Sequence, residues 1–250
     1  MIDSKGWDWH IGFEDRDSVW KKPALESCGL MYRWAAQVKK AYLYLGCGLG
    51  RHAILFGRNG FTVSCFDIST DAVAGTRQWA EAEGLKLSYA VGDMLSLPYP
   101  SGSFDCVLCW NVISPSDTEG VKKAIAEMGR VLRRDGEAYL TLGSKCTWGW
   151  QQDWPMVDDN TKLRMEEGPE YNVPHFYADK PLIEELFQDF EILSITHVED
   201  WGSNNRGIHY HVLVKKNTAL SGGKVSPAAS AQSAPPGAPD GNRCSGTSVR

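Results

Sequence analysis

The sequence predicts an α/β fold, a doubly wound sheet with helices on both faces, and three observations carry that expectation. Short apolar runs alternate with amphipathic stretches over residues 41–142, the pattern of strands connected through helices. The run LGCGLG at residues 45–50 sets Gly46, Gly48 and Gly50 between the first strand and the first helix of that series. Twenty-one positions after the first of these glycines, Asp67 closes the next apolar run.

Each element follows in order. Strand one is expected at residues 41–45 and its helix at 51–58. Strand two covers 61–66, followed by a helix capped by Ser69, running over 70–83 and stopped near Gly84. Strand three is expected at 85–91, strand four at 104–110. A helix entered at Asp117 repeats Val121, Ala124, Ile125, Met128 and Leu132 at helical spacing, which turns that face to the sheet. Strand five is expected at 137–142. A long connection, 143–180, precedes a helix at 181–189 with Pro181 in its first turn, then strands at 190–198 and 208–214.

The glycines and Asp67 together predict a nucleoside pocket. Glycine tolerates positive φ and close ligand approach, and the helix start beyond it presents unpaired amides. A carboxylate at the end of strand two can accept hydrogen bonds from both ribose hydroxyls. Dinucleotide loops read GxGxxG, whereas here position 51 is Arg51, so a pyrophosphate ligand and NAD chemistry are disfavoured. Asp93 ends the third strand-like run, where an acceptor-only side chain suits an exocyclic amino group.

The GxGxG loop resembles the first motif of class I S-adenosylmethionine (SAM) dependent methyltransferases. The likeness extends over residues 42–216, through DIS at 67–69, VGDMLSLPYPSGSFDCVLCWNVIS at 91–114 and EMGRVLRRDGEAYLTL at 127–142, which look like the type 11 subgroup. It implies a Rossmann-like, seven-stranded sheet with the last strand antiparallel and inserted beside strand five. It also implies SAM as cofactor: the backbone at Gly46, Gly48 and Gly50 facing the methionyl part, Asp67 on the ribose, Ile68 against adenine, and Asp93 on the adenine amino group beside the Met94 amide. One position departs from the pattern. The family carries an acidic residue two places before the first glycine, and this chain has Tyr44, which supplies no charge for the methionine ammonium.

Three regions are expected: an N-terminal helical cover at 1–40, a SAM-binding methyltransferase domain at 41–217 with an aromatic insert at 143–180, and a disordered tail at 218–250. The tail is rich in Ser, Gly, Pro and Ala and lacks the apolar residues to build a core. The 250 residues suit one large domain, and the net charge of −5 argues against nucleic acid, which needs a basic face. No apolar run is long enough to span a bilayer, and the first residues, MIDSKGWDWH, do not read as a secretory signal. A cytoplasmic protein is expected. Seven cysteines at irregular spacing predict reduced thiols rather than a disulfide framework. Cys106 and Cys109 form a CxxC within a strand, where that spacing turns them to opposite faces, so no metal site is expected.

The ligand crevice of an open α/β sheet lies beyond the carboxyl ends of its strands. That selects Asn111, which follows strand four, and the insert with Trp148, Trp150, Trp154, Tyr171, Phe176 and Tyr177. We expect Asn111, Trp148, Trp150, Phe176 and Tyr177 to bind substrate, with His175 as base or positioning group; the rings of the insert either close over the site as a lid or pack the insert onto the core. His209 and His211 read as residues of a strand face. The function expected is methyl transfer from SAM to a small-molecule acceptor; the alternative is a SAM-binding sensor or a non-catalytic partner subunit.

Overall fold

A computed structural model of the chain describes residues 21–168, 170–200 and 207–217. Five strands, β1 (Ala41–Leu45), β2 (Thr62–Asp67), β3 (Ser88–Val91), β4 (Phe104–Cys109) and β5 (Leu132–Ser144), lie parallel in the order β3-β2-β1-β4-β5. The order reverses between β1 and β4, which opens a crevice at their carboxyl ends. On the far edge of β5, β10 (Gly207–Lys216) pairs antiparallel, and β9 (Phe190–Asp200) pairs antiparallel to β10. The last strand is therefore inserted beside the fifth, and antiparallel to it.

Alternation along β1 divides the core into two layers. Tyr42 and Tyr44 join Trp34 and Phe56 on one face, with helices α1 (Leu25–Ala36) and α2 (Arg51–Arg58). The Tyr42 and Phe56 rings stack there at 4.0 Å. Leu43 and Leu45 join the opposite layer, built with Val121, Ala124, Ile125 and Met128 of α4 (Thr118–Val131). Cys106 packs in the first layer and Cys109 in the second, so the CxxC makes no joint site. Both are free thiols, and burial pushes the Cys109 thiol up to about 12. Local signals set the helix starts. Ser69 accepts from the Ala72 amide at the head of α3 (Thr70–Ala82), and Asp117 from the Gly120 amide at the head of α4.

A buried carboxylate ties α1 to the sheet. Glu137 of β5, 3% exposed, accepts two hydrogen bonds from Arg33 at 2.8 and 2.9 Å and one from Trp34 Nε1 at 2.9 Å, with Lys39 Nζ 3.2 Å away.

Several boundaries differ from the sequence expectation for identifiable reasons. β3 starts at Ser88 rather than 85, because Gly84 turns left-handed (φ +67°) and the Leu85 amide closes back on the Ala80 carbonyl. β4 ends at Cys109, since Asn111 adopts φ +54°. The largest difference is the insert, which adds three strands to the seven expected. β6 (Met156–Asp158), β7 (Thr161–Leu163) and β8 (Pro174–Ala178) form an antiparallel meander. β8 then pairs parallel with β5 at Gly143 and Ser144, on the edge that β4 vacates beyond Cys109.

Between these strands lies the four-residue α5 (Trp148–Gln151), and α6 (Lys180–Leu186) follows β8 with Pro181 in its first turn and Asp179 as its cap. The tail at 218–250 and Trp7, Trp9 and Trp20 of the expected cover lie outside the described residues. Among the described residues no helix is long and apolar enough to cross a membrane.

Candidate functional site

The glycine loop turns sharply, with φ +70° at Gly46, +48° at Gly48 and +89° at Gly50. Packing within the protein also demands glycine at two of these positions. A β-carbon on Gly46 would lie 2.2 Å from Val112 Cγ2, and one on Gly50 would lie 2.8 Å from the Thr76 side chain. The Gly46 and Cys47 amides both donate to the Phe66 carbonyl, and Thr76 Oγ1 donates to the Gly48 carbonyl at 2.8 Å. The loop is thus braced from β2, α3 and the turn after β4.

Asp67 is the keystone of this brace. It is 7% exposed; Oδ2 accepts from the Gly48 amide and Oδ1 from the Ser69 amide, both at 2.9 Å. Burial raises its carboxyl above the ordinary value, against the opposing effect of those amides. A carboxylate offers about four lone-pair positions, so each oxygen keeps acceptor capacity for a diol. One strand over, Asp93 lies two residues past Val91, the register partner of Asp67. Its Oδ1 accepts from the Leu95 amide at 2.8 Å. Ile68, 37% exposed, presents an apolar side chain beside Asp67, and Met94 is buried. Two acceptor-rich carboxylates, one closing β2 and one just past the end of β3, a glycine turn and an exposed isoleucine fit an adenosyl group.

Tyr44 is engaged elsewhere. The Ala24 amide donates to His52 Nε2 at 3.2 Å, which leaves Nδ1 to carry the proton and donate to Tyr44 Oη at 2.9 Å. Burial, with the neighbouring Arg51 charge, holds the fully buried His52 well below its ordinary value. Burial likewise pushes the Tyr44 hydroxyl up. Where the resemblance would place a carboxylate, the chain has a neutral Tyr–His pair.

Beyond β5 lies a cavity of about 190 Å³. Trp148, His175, Phe176 and Tyr177 line it, four of the residues expected at the substrate. Phe176 contributes to the wall while packing wholly within the core. Trp150 does not line it; that ring packs on Tyr177 and lies under Lys145 and Lys162 at 5.5 and 5.1 Å. Asn111 does not line it either. Its amide donates to Thr141 Oγ1, whose hydroxyl donates to Asn111 Oδ1, both at 2.8 Å, so the residue shapes the turn after β4. His175 Nδ1 faces the Val173 carbonyl at 3.1 Å, and Nε2 lies 3.3 Å from Glu170.

Lining residues that escaped the sequence reading as site residues include the polar Ser114, Thr147, Arg164 and His209 and the glycines Gly143, Gly149 and Gly207. No local pattern marks them, because the cavity forms only when β8 and the start of β10 meet β5. One connection joins the two halves of the site. In the turn after β4, Val112 abuts Gly46, while Ser114 accepts from the Gly143 amide at 3.2 Å and lines the cavity.

Comparison with known proteins bears on the family and the fold. Residues 43–136 match a family described as a methyltransferase domain. Malonyl-[acyl-carrier protein] O-methyltransferase of Enterobacter lignolyticus is 28% identical over 131 residues, covering 52% of this chain and half the length of that relative. Among solved structures, a SAM-dependent methyltransferase from Methanosarcina mazei has a TM-score of 0.61 at 21% identity, over 71% of this chain and 92% of that one. The 1,6-didemethyltoxoflavin-N1-methyltransferase of Burkholderia thailandensis, with 1,6-didemethyltoxoflavin and S-adenosylhomocysteine bound, gives 0.60 at 16% identity, over 82% and 84% of the two chains. At these identities the structural likeness speaks for the fold.

Proposed function

We propose, from a chain that carries a class I SAM-dependent methyltransferase domain, that it transfers the SAM methyl group to a small-molecule acceptor. The observation that carries this reading is the pair of carboxylates, Asp67 and Asp93, at the ends of adjacent strands beside the glycine turn. Asp67 would accept from the ribose hydroxyls while its other lone pairs hold the loop. Asp93, with the Met94 amide, would take the adenine edge, and Ile68 would cover its face. The backbone at Gly46, Gly48 and Gly50 would pass along the methionyl part.

When bound, SAM supplies an activated methyl group, so the protein's task is chiefly alignment and exclusion of water. The aromatic walls at Trp148 and Tyr177, with His175 as a positioning group, suit that task. Asn111 and Trp150 would support it from outside the cavity by fixing the turn after β4 and the Tyr177 ring.

Titration calorimetry with SAM and S-adenosylhomocysteine tests the reading. Asp67→Ala removes a charged acceptor from two hydroxyls, each such bond being worth about 1.5–3 kcal/mol, so affinity should fall by at least about tenfold. Equal affinity in a variant that stays folded would refute the assignment. The neutral Tyr44–His52 pair favours a second reading, a SAM-binding sensor or partner subunit, because the methionine ammonium lacks the acidic partner that the resemblance implies. Tight cofactor binding without turnover across a broad acceptor panel, together with a stable protein partner, would decide for it.

A further inference from the structure

The cavity beyond β5 has a chemical bias. Its volume, about 190 Å³, is slightly larger than the roughly 150 Å³ that admits benzene. Trp148 and Trp154 meet edge to face at 5.4 Å in its wall, and Tyr177 closes another side. Walls of this kind suit an aromatic ring, which packs offset or edge to face against them. Among the described residues no aspartate or glutamate lines it, and the nearby Glu170 is engaged by Arg164 and His175, so a cationic amine gains little counter-charge. The guanidinium of Arg164 is already paired with Glu166 and Glu170, so an anionic acid gains little from it.

The two imidazoles in the wall differ. His175 turns Nδ1 toward the Val173 carbonyl and Nε2 toward Glu170, so both of its nitrogens are directed at protein atoms. The His209 ring has no hydrogen-bond partner among the described residues. Burial, then the neighbouring His211, hold His209 below its ordinary value, against Asp200 on β9. It is therefore neutral near pH 7 and able to accept a proton.

Resting on the methyl-transfer reading above, we propose that this cavity takes a single aromatic ring bearing an ionisable hydroxyl group, a phenol, and that His209 receives the hydroxyl proton. The acceptor oxygen forms its bond to the methyl carbon as the carbon–sulfur bond breaks with its electron pair left on sulfur. His209 takes the proton from the same oxygen and releases it to water. The turn after β4 brings the two sites close: Val112 touches the glycine loop, and Ser114, two residues or at most about 7 Å of chain further, borders the cavity.

The test uses the full chain with catechol and hydroquinone as acceptor probes, benzylamine as comparator, and the variants His209→Gln and His209→Asn. Catechol should bind the protein loaded with S-adenosylhomocysteine and be methylated in preference to benzylamine. Both variants should bind S-adenosylhomocysteine as the wild type does, keep KM for catechol within a few fold, and lose about 100-fold or more in kcat.

The wild-type rate should fall as pH drops through the lowered His209 value. That acid limb should vanish in the variants, whereas His175 and Arg164 across the cavity, and His211 and Asp200 beside it, remain. Cofactor binding without phenol binding, preference for benzylamine, or a variant rate within a few fold of wild type would each overturn this assignment alone. Absence of S-adenosylhomocysteine binding would overturn the methyl-transfer reading and this one with it.

Discussion

Replacing Glu137 with glutamine should unlock α1 from the sheet in a way that depends on pH. Burial alone would push this carboxyl up. The Arg33 and Trp34 hydrogen bonds and the Lys39 charge outweigh burial and hold it at about 2, against an ordinary 4.5. At 1.36 kcal/mol per unit, that difference is a contribution of about 3 kcal/mol at pH 7, and Arg33, 41% exposed, is screened enough by water to trim it toward about 2.

The sign follows from the depressed value. The contribution is complete above pH 4.5 and disappears as pH falls through 2, leaving roughly 60% of it at pH 3.5. Urea unfolding of wild type and Glu137→Gln, followed by far-UV circular dichroism at pH 7 and pH 3.5, measures it. The gap between the proteins should be about 2–3 kcal/mol at pH 7 and narrower at pH 3.5. A gap below about 0.5 kcal/mol at pH 7, or one that stays constant with pH, would refute the claim that this buried carboxylate fastens the helix.

Gly46→Ala should cost about 1–3 kcal/mol from its φ of +70° alone, with further loss from the clash on Val112 and weakened SAM binding. Adding Val112→Ala should restore part of the stability, and wild-type melting of the single variant would count against the packing argument. Tyr44→Phe removes the acceptor of the His52 Nδ1–H and should destabilise by about 1–3 kcal/mol while leaving cofactor affinity within a few fold, as calorimetry can check. Because the folded His52 value lies below its ordinary 6.5, the stability that keeping it neutral confers is present above pH 6.5 and lost as pH falls from there. Urea midpoints at pH 7.5 and 5.5 should therefore differ less in His52→Asn than in wild type.

What could be read from the sequence and what could not divide along the range of the interactions. The glycine turn, the Ser69 and Asp117 caps and the acidic residues at or just past the ends of β2 and β3 are local patterns, and in the structure Asp67 closes β2 while Asp93 follows the neighbouring β3 by two residues. The strands of the insert were not legible: its aromatic density stood out in the sequence, but not the three short strands that extend the sheet from Gly143 and Ser144. Strands of three residues leave almost no periodicity to detect.

The glycines teach a related point. Gly46 and Gly50 fit a ligand-facing loop by sequence, yet in the structure Val112 and Thr76, 66 and 26 positions away, already exclude a side chain there. Glycine at these positions therefore reports how tightly the loop is braced as well as any need to admit a cofactor. The same logic separates the two histidines of the cavity. His175 stood out because it lies among aromatics in sequence, and in the structure its nitrogens are directed at the Val173 carbonyl and Glu170. His209 looked like an ordinary strand residue until β5 and β8 enclosed it. A side chain's usefulness in chemistry depends on which of its lone pairs the fold leaves unclaimed, and that is decided by partners distant along the chain.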